Sequence, residues 1–446
     1  MDSTVRRAGA FALVGALSLA VPALAGRLDP PVATVTAVLP FLLVAVAALT
    51  ASKGGRLFDL FARPGDREEG RLYGLAGFAL AAAGLALLTA VGLPTAVVVA
   101  TLLLVVVGAF AEAGVRGLWG DPFYAVAAFV AVGFGAGVLG QLAAAALDVA
   151  SRFVPPEALF LAATGALLAA LLRSMLFERD DPLVLLTVAL VLWLFDDLAL
   201  ALTPQQVVVG LAVTVALGYL SYALETASIT GMLAGVFLAF LTVMLGGFGW
   251  LAVLVSFFGI GGLSTKFRYE QKRERGLAEG NDGARGSGNV LANSAVALAA
   301  VLGAATSSVI GLPESVFFFA FAGAVAAAMG DTLSSEVGGL YGPPRLITTL
   351  ERVPPGTDGG VTWQGVVAGL AGTAVVAGIA ALFFDLGVVA ALVVVVAGFV
   401  GMTADSVLGA TVEGGVVGNQ GVNFLATLVA AVVAGACALG LPAVAL

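Results

Sequence analysis

The sequence predicts an all-α protein that crosses a membrane about fifteen times. Of its 446 residues, 60% are hydrophobic and 11% are charged, whereas an ordinary globular protein carries about 25% charged residues. The apolar residues are gathered into runs of roughly twenty, the length that a helix needs to cross the hydrocarbon core. Because backbone groups in hydrocarbon must satisfy their own hydrogen bonds, these runs are predicted to be helices in a polytopic membrane bundle.

Charged residues, glycines and prolines mark the ends of the runs. The predicted spans lie near residues 8–25, 32–50, 72–92, 94–112, 122–147, 157–173, 182–201, 205–224, 228–246, 249–264, 288–311, 315–330, 362–384, 387–404 and 421–441.

The distribution of cations predicts how these spans are oriented. With the N-terminus in the cytoplasm and the spans alternating, only Arg27 and Arg152 face outside, and the other Lys and Arg residues lie inside. Cytoplasmic loops of membrane proteins carry an excess of Lys and Arg. We therefore expect a multi-pass protein of the cell membrane whose C-terminus faces outside.

The residue types that the chain lacks limit the reactions and the metal sites that it can support. The chain has no histidine, which excludes Ser-His-Asp catalysis and imidazole zinc sites. Its single cysteine, Cys437, lies in an apolar run, so no intrachain disulfide and no Cys metal cluster is expected. Any metal would be a hard cation held by oxygen, with Mg²⁺ as the leading candidate.

The chain is predicted to have two domains. Residues 1–180 have short or plainly charged loops and are predicted to form a helical membrane domain whose role is open. Residues 182–446 contain three polar, glycine-rich segments at 265–287, 331–361 and 405–420. Because all three fall on the predicted cytoplasmic face, we expect them to form one site.

The first polar segment runs through "GARGSGN" directly into a helix. Backbone N–H groups at a glycine-rich helix start can bind an anion, and Asn289 and Asn293 are four residues apart on one face of that helix. Its predicted phosphate clamps are Lys266, Arg268 and Arg285. The alternative is an ordinary positive loop that holds anionic lipid headgroups.

The second polar segment places Asp331 at the predicted end of a span, with Glu336 five residues later. Two carboxylates are poor partners for the negative end of a helix dipole, and a divalent cation would offset both. A pair of solvated loop acids is the alternative. The other residues of this segment that suit a phosphate are Ser335, Thr357, Gly359 and Gly360. Arg345 is predicted to act in catalysis, where it would neutralise the transferring phosphoryl group together with Lys266.

The third polar segment repeats this arrangement. Asp405 is predicted to end a span, and a glycine-rich run then leads into a helix that carries Asn419 and Asn423. Three helix starts would thus supply donors to phosphate oxygens, while Asp331 and Asp405 would hold Mg²⁺. This arrangement is typical of phosphoryl transfer, although the chain lacks both a Walker A motif and a kinase glycine-rich loop.

The strings "GDTLSSEVGGLYGPPRLITTLERVPPGTDGGVTWQG" and "ADSVLGATVEGGVVGNQGVNF" resemble the transmembrane protein 19 family (domain of unknown function 92). The resemblance covers roughly residues 182–441. That family includes a plant phytyl-phosphate kinase, so the resemblance implies an integral-membrane enzyme that converts an isoprenyl monophosphate of the phytyl or geranylgeranyl type to the diphosphate. CTP or ATP would donate the phosphoryl group.

Two other functions stay open at this point. A secondary transporter is indicated by Asp196 and Asp197, which fall in the middle of a predicted span where ionisable groups are usually functional. A scaffold or lipid-binding protein without turnover is the other possibility. The expected partners are a membrane lipid or prenyl phosphate and a nucleotide, with no nucleic acid, and the oligomeric state is open.

Overall fold

The computed structural model describes residues 3–148, 151–176, 180–198, 200–277, 286–413, 415 and 417–441. The chain folds into two compact units, Met1–Leu211 and Ala212–Leu446. Each unit consists mainly of helices. The two strands found in the described part of the chain have two residues each.

The first unit contains ten complete helices in its described part, and an eleventh crosses the division between the units. They are α1 (Ser3–Ala16), α2 (Ala20–Ala25), α3 (Pro30–Thr50), α4 (Arg56–Phe61), α5 (Pro64–Glu69), α6 (Tyr73–Leu88), α7 (Thr95–Arg116), α8 (Pro122–Leu147), α9 (Pro155–Met175), α10 (Asp181–Asp197) and α11 (Pro204–Ala223).

The second unit continues with helices and one small antiparallel sheet. Its elements are α12 (Ile229–Leu245), α13 (Phe248–Ser256), a π-helical turn (Phe257–Gly261), α14 (Gly262–Lys266), α15 (Tyr269–Glu274), α16 (Ser287–Ala305), α17 (Ser307–Ile310), α18 (Glu314–Gly338), β1 (Arg345–Leu346), β2 (Gly360–Val361), α19 (Trp363–Phe384), α20 (Val388–Thr411) and α21 (Asn419–Gly440).

The fold confirms the predicted polytopic helical protein. Within the described residues, thirteen helices are long and apolar enough to cross a membrane. Each of the predicted spans coincides with a helix, but α10 and α12 have only 17 residues each. That length is at the lower limit of what a crossing requires.

The division between the units lies after residue 211 rather than after 180, because α10 packs in the first unit. Phe195 of α10 meets Phe160 of α9 edge-to-face, with ring centroids 5.3 Å apart. At the other end of α10, Asp181 forms salt bridges with Arg63 and Arg173. These contacts attach α10 to helices that precede it in the sequence.

The second unit is built around α18, which packs against α16, α19, α20 and α21. Small residues allow this close approach. A Cβ atom on Gly330 would lie 2.9 Å from the Thr373 side chain of α19, and a Cβ on Gly398 of α20 would lie 2.8 Å from the Cβ of Ala326. The glycines of this bundle therefore set the distances between its helices.

Two helices are longer than the sequence predicts, and this changes the position of both predicted metal ligands. Helix α18 continues to Gly338 and α20 continues to Thr411. Asp331 and Asp405 therefore lie inside helices and not at helix ends. A charged residue ends a hydrophobic run, but the backbone hydrogen bonds of the helix continue through it.

Candidate functional site

A polar cavity of about 500 Å³ lies within the second unit. Its lining comes from all three polar segments of the sequence, as well as from the first turns of α16 and α21. The predicted site residues that line it are Asn289, Asn293, Asp331, Ser335, Glu336, Thr357, Gly359, Gly360, Asp405, Asn419 and Asn423.

The two predicted metal ligands, Asp331 and Asp405, are close neighbours in this cavity. Their carboxyl groups lie within hydrogen-bonding range of each other, and both residues are half-buried. The Oδ1 atom of Asp405 is buried, with no hydrogen-bond partner in the part of the chain that the structure describes. Two neighbouring, half-buried carboxylates repel each other when both are charged, so a shared proton or a bound cation would stabilise the pair.

This carboxylate pair fits Mg²⁺. Mg²⁺ is usually held by one or two carboxylates together with waters and substrate phosphates, not by a dedicated cage of protein ligands. Across the described residues, no group of three or more His, Cys, Asp or Glu side chains is arranged to hold a metal. The unpartnered oxygen of Asp405 and its neighbour Asp331 therefore match the sparse ligand set of Mg²⁺.

The starts of α16 and α21 meet beside the carboxylate pair. A Cβ on Gly288 of α16 would collide with the Gln420 side chain of α21, so the two first turns are in close contact. Neither helix has a side-chain cap among the described residues. Uncapped N–H groups at a helix start favour an anion, and both starts border the cavity.

Four asparagines lie on these two helices. Asn293 is buried and donates from Nδ2 to both the backbone oxygen and the Oδ1 of Asn289, each at 3.0 Å. Asn423 is buried too, while Asn419 occupies the first turn of α21 and is exposed. The carboxamides place both donors and acceptors along one wall of the cavity.

Glu336 has a different role from the one that the sequence suggests. The buried ammonium group of Lys272 forms a salt bridge with Glu336, and it also donates to the backbone oxygens of Ser264 at 3.0 Å and Thr265 at 2.7 Å. Glu336 is thus neutralised by a fixed cation and not by the predicted metal. Helical spacing also separates it from Asp331, since residues five apart do not lie directly above one another.

The structure does not bring the predicted cationic clamps into the cavity. Arg268 is exposed, and its guanidinium carbon lies 5.4 Å from the centroid of the Phe267 ring. Arg345 donates to the backbone oxygen of Leu350 at 2.7 Å. Lys266 donates to the backbone oxygen of Leu224 at 2.7 Å. None of these three is among the described lining residues. Arg285, which the sequence also predicts as a phosphate clamp, lies outside the described residues.

Two further carboxylates line the cavity and were not predicted. Glu413 lies two residues beyond the end of α20, and Asp358 lies in the loop before β2. Burial raises the pKa of the Glu413 carboxyl, and the nearby Asp358 and Asp405 raise it further. Because α20 ends at Thr411, helical spacing from Asp405 gave no signal for Glu413.

The described lining residues of the cavity carry a strong negative charge. Lys272 is their only cation, and it is already paired with Glu336. The lining carboxylates are Asp331, Glu336, Asp358, Asp405 and Glu413. A phosphate can therefore enter this cavity only together with cations, because like charges repel strongly in a site of low dielectric constant.

The glycine-rich loop of the second polar segment forms the remaining wall. It is held by the pairing of β1 with β2 and by Thr362, whose hydroxyl caps α19 by accepting from the Gly365 N–H at 3.1 Å. Gly359 has φ of +73°, and a Cβ there would lie 2.6 Å from the Ser406 backbone oxygen. The backbone of this loop thus approaches α20 within a turn of Asp405.

We expect Gly359→Ala to destabilise the protein by about 2–5 kcal/mol. The positive φ costs about 1–2 kcal/mol for a residue with a side chain, and overpacking against Ser406 and Ala410 adds about 1–3 kcal/mol. Gly276→Ala is the matched control, because Gly276 also has a positive φ of +70° but no described atom lies within 4 Å of the place that a methyl group would take there. The free energy of unfolding in detergent is the measurement; equal losses in both variants would contradict the close contact at Gly359.

The acids that suggested a transporter are not in the middle of a helix. Asp196 and Asp197 are the last two residues of α10, and both are exposed. The predicted span continued to residue 201, but the helix ends earlier. The position of these two acids in the middle of a span was the main support for the transporter hypothesis, and the structure does not bear it out.

Comparison with known proteins places the second unit in a family. The family model for the integral membrane protein DUF92 matches residues 212–431, so the match begins where the second unit begins. An uncharacterized membrane protein of Methanocaldococcus jannaschii is 34% identical over 207 residues, which are 46% of this chain and 82% of that protein.

Two plant proteins are also similar to this chain. Protein PGR of Arabidopsis thaliana is 32% identical over 235 residues, covering 47% of this chain and 81% of PGR. The chloroplastic protein VTE6 of the same plant is 30% identical over 194 residues, covering 42% of this chain and 56% of VTE6. No solved structure matches the chain. With these relatives and the matching family model, the chain belongs to the DUF92 family of integral membrane proteins.

Proposed function

We propose that the second unit is a lipid-phosphate kinase of the membrane, which transfers a phosphoryl group from a nucleoside triphosphate to an isoprenyl monophosphate. The observation that supports it most is the neighbouring pair of Asp331 and Asp405 in the same cavity as two uncapped helix starts. Carboxylates for Mg²⁺ and N–H donors for phosphate oxygens are the parts that phosphoryl transfer requires. The resemblance to a family that includes a phytyl-phosphate kinase agrees with this chemistry.

In the proposed reaction, an oxygen of the isoprenyl monophosphate attacks the terminal phosphorus of the nucleotide. A new P–O–P bond forms, the bond to the bridging oxygen breaks, and the nucleoside diphosphate leaves. The attacking phosphate oxygen is already negatively charged, so no strong base is needed. Catalysis then consists of positioning and charge neutralisation.

Different residues of this chain would supply the positioning and the charge neutralisation. Asp331 and Asp405 would hold Mg²⁺, which would neutralise charge on the phosphate oxygens when bound. The first turns of α16 and α21 would donate N–H groups to those oxygens, and Asn293 and Asn423 would orient them. The loop at Thr357 and Gly360 would close the cavity from the other side.

The negative lining makes the proposed activity dependent on divalent cations. Both substrates are anionic, and the single described lysine of the lining is already paired. We propose that the cavity lies on the cytoplasmic face, where nucleotides are available and where the excess of Lys and Arg predicts these loops to be. The isoprenyl tail would remain among the apolar helices, since the described lining is mainly polar.

The direct test is turnover by the purified full-length protein. It is incubated with phytyl or geranylgeranyl monophosphate, MgCl₂ and either CTP or ATP, and the isoprenyl diphosphate is measured by mass spectrometry. We expect product with at least one pairing and none after chelation of Mg²⁺ with EDTA. The corresponding free alcohols are the matched control substrates. Absence of turnover with every pairing would refute the proposal.

A further inference from the structure

A second cavity lies within the first unit, where α1 starts, α7 and α9 end and α10 starts. Its volume is about 130 Å³, which is enough for several water molecules or one polyatomic ion. The charged residues that line it are Arg7, Arg63, Glu112, Arg116, Arg173 and Asp181. Four arginines thus share a cavity with two carboxylates.

Both carboxylates are already engaged by arginines of this cluster. Asp181 accepts from Arg173 Nη1 through Oδ1 at 3.0 Å and pairs with Arg63 through Oδ2. Glu112 accepts from Arg116 Nη2 at 2.6 Å and lies 3.6 Å from Arg173 Nη2. Each acidic group therefore already forms ion pairs with two arginines of the cluster.

The arginine cluster has donor capacity beyond these ion pairs. The Nε of Arg173 is buried and has no hydrogen-bond partner among the described residues. A buried guanidinium N–H that lacks an acceptor is destabilising, because it has lost its hydrogen bonds to water. The arginines of the lining also outnumber its carboxylates by two. An anion in the cavity would accept from the free N–H group and balance this positive charge.

The geometry and the charge identify the class of anion. The forked guanidinium group binds phosphate oxygens through two parallel hydrogen bonds, and a phosphomonoester carries a charge of about −1.5 to −2 at neutral pH. The lining also includes the apolar side chains of Phe11, Phe78 and Val105, and the Arg63 guanidinium lies 4.7 Å from the centroid of the Phe11 ring. We infer that this cavity binds a phosphate group, either inorganic phosphate or the phosphomonoester headgroup of a lipid.

This inference does not depend on the proposed function of the second unit, and a pair of adjacent arginines can test it. Arg7 lines the cavity, whereas its neighbour Arg6 in α1 does not. Arg7→Gln and Arg6→Gln remove the same charge from consecutive positions of one helix. Arg173→Gln is less suitable because Asp181 would lose a partner and the unit could fail to fold.

The experiment is a calorimetric titration of the full-length protein in neutral detergent, without divalent cations and with EDTA present. Inorganic phosphate and dioctanoyl phosphatidic acid are titrated separately, with dioctanoyl phosphatidylcholine as the control lipid. We expect saturable binding of a phosphate probe that is at least about tenfold weaker in Arg7→Gln, since a charge-assisted hydrogen bond is lost. Arg6→Gln should bind within about twofold of the wild type, as expected for a surface change.

The two phosphate probes distinguish the source of the ligand. Saturable binding of inorganic phosphate supports a site for the free ion, and binding of phosphatidic acid alone supports a lipid headgroup. The inference is wrong if neither probe binds, if phosphatidylcholine binds as well as phosphatidic acid, or if Arg6→Gln and Arg7→Gln weaken binding equally. Absence of binding would mean that the arginines only form an internal ion-pair network, and equal weakening would mean that phosphate is attracted only by the general positive charge of the surface.

Discussion

Asp331→Asn is expected to lower the rate of isoprenyl diphosphate formation by about a hundredfold to a thousandfold, the usual cost of removing one group that stabilises developing charge. Asparagine has almost the same shape as aspartate, but it lacks the negative charge that would bind Mg²⁺ next to Asp405. It also relieves the repulsion between the two carboxylates. The variant should therefore be folded, and it should be as stable as the wild type or more so when Mg²⁺ is absent.

Asp385→Asn is the matched control for this variant. Asp385 follows α19 at the end opposite to the cavity, is exposed and has φ of 49°, a conformation that asparagine accepts readily. Its rate should remain within about twofold of the wild type. Binding of Mn²⁺, measured by electron paramagnetic resonance, provides a second readout and should weaken in Asp331→Asn only. A rate near that of the wild type would remove Asp331 from the mechanism.

The helices and the convergence of the polar segments could be predicted from the sequence for one physical reason. A bilayer forces each apolar run of about twenty residues to cross it, so consecutive connections alternate between the two faces. Asp331 and Asp405 are separated by two further crossings and must therefore return to the same face. Alternation does not predict that their carboxyl groups come within hydrogen-bonding range, because that depends on how α18 and α20 are rotated.

The sequence could not predict which of the cations lines the cavity, since this depends on local backbone geometry. Positive charges cluster between residues 265 and 287, and their number predicts the cytoplasmic side but not which side chain turns inward. Arg268 has φ of 51° and separates α14 from α15. This bend directs Lys272 toward Glu336, while Lys266 and Arg268 stay at the surface. Sequence spacing carries no signal for such a bend at a residue other than glycine.

The ends of the helices could not be predicted from the sequence either. The sequence predicts Asp405 at the end of a span and Glu413 in the segment that follows it. Helix α20 continues to Thr411, so Asp405 lies inside the helix, whereas Glu413 follows the helix in a non-helical segment where helical spacing carries no signal. Hydropathy reports where a helix leaves the hydrocarbon, whereas the helix itself ends where its backbone hydrogen bonds end.

Lys272→Met is expected to destabilise the protein by about 3–5 kcal/mol, because it leaves the carboxylate of Glu336 without its partner in a largely buried position. The backbone oxygens of Ser264 and Thr265 also lose a donor. Lys266→Met is the matched control, since Lys266 makes an exposed contact with one backbone oxygen. It should change the free energy of unfolding by no more than about 0.5 kcal/mol.

The double variant Lys272→Met/Glu336→Gln separates the lost ion pair from the lost backbone contacts. Removing the charge of Glu336 as well eliminates the unpaired carboxylate, so the double variant should be more stable than Lys272→Met alone. It should remain less stable than the wild type, because Ser264 and Thr265 still lack their donor. If the effects of the two substitutions simply add, Lys272 and Glu336 are not coupled, and Glu336 becomes available again as a ligand in the cavity. A positive coupling instead identifies this pair as the fixed anchor that holds the end of α14 against α18, beside the carboxylates of Asp331 and Asp405.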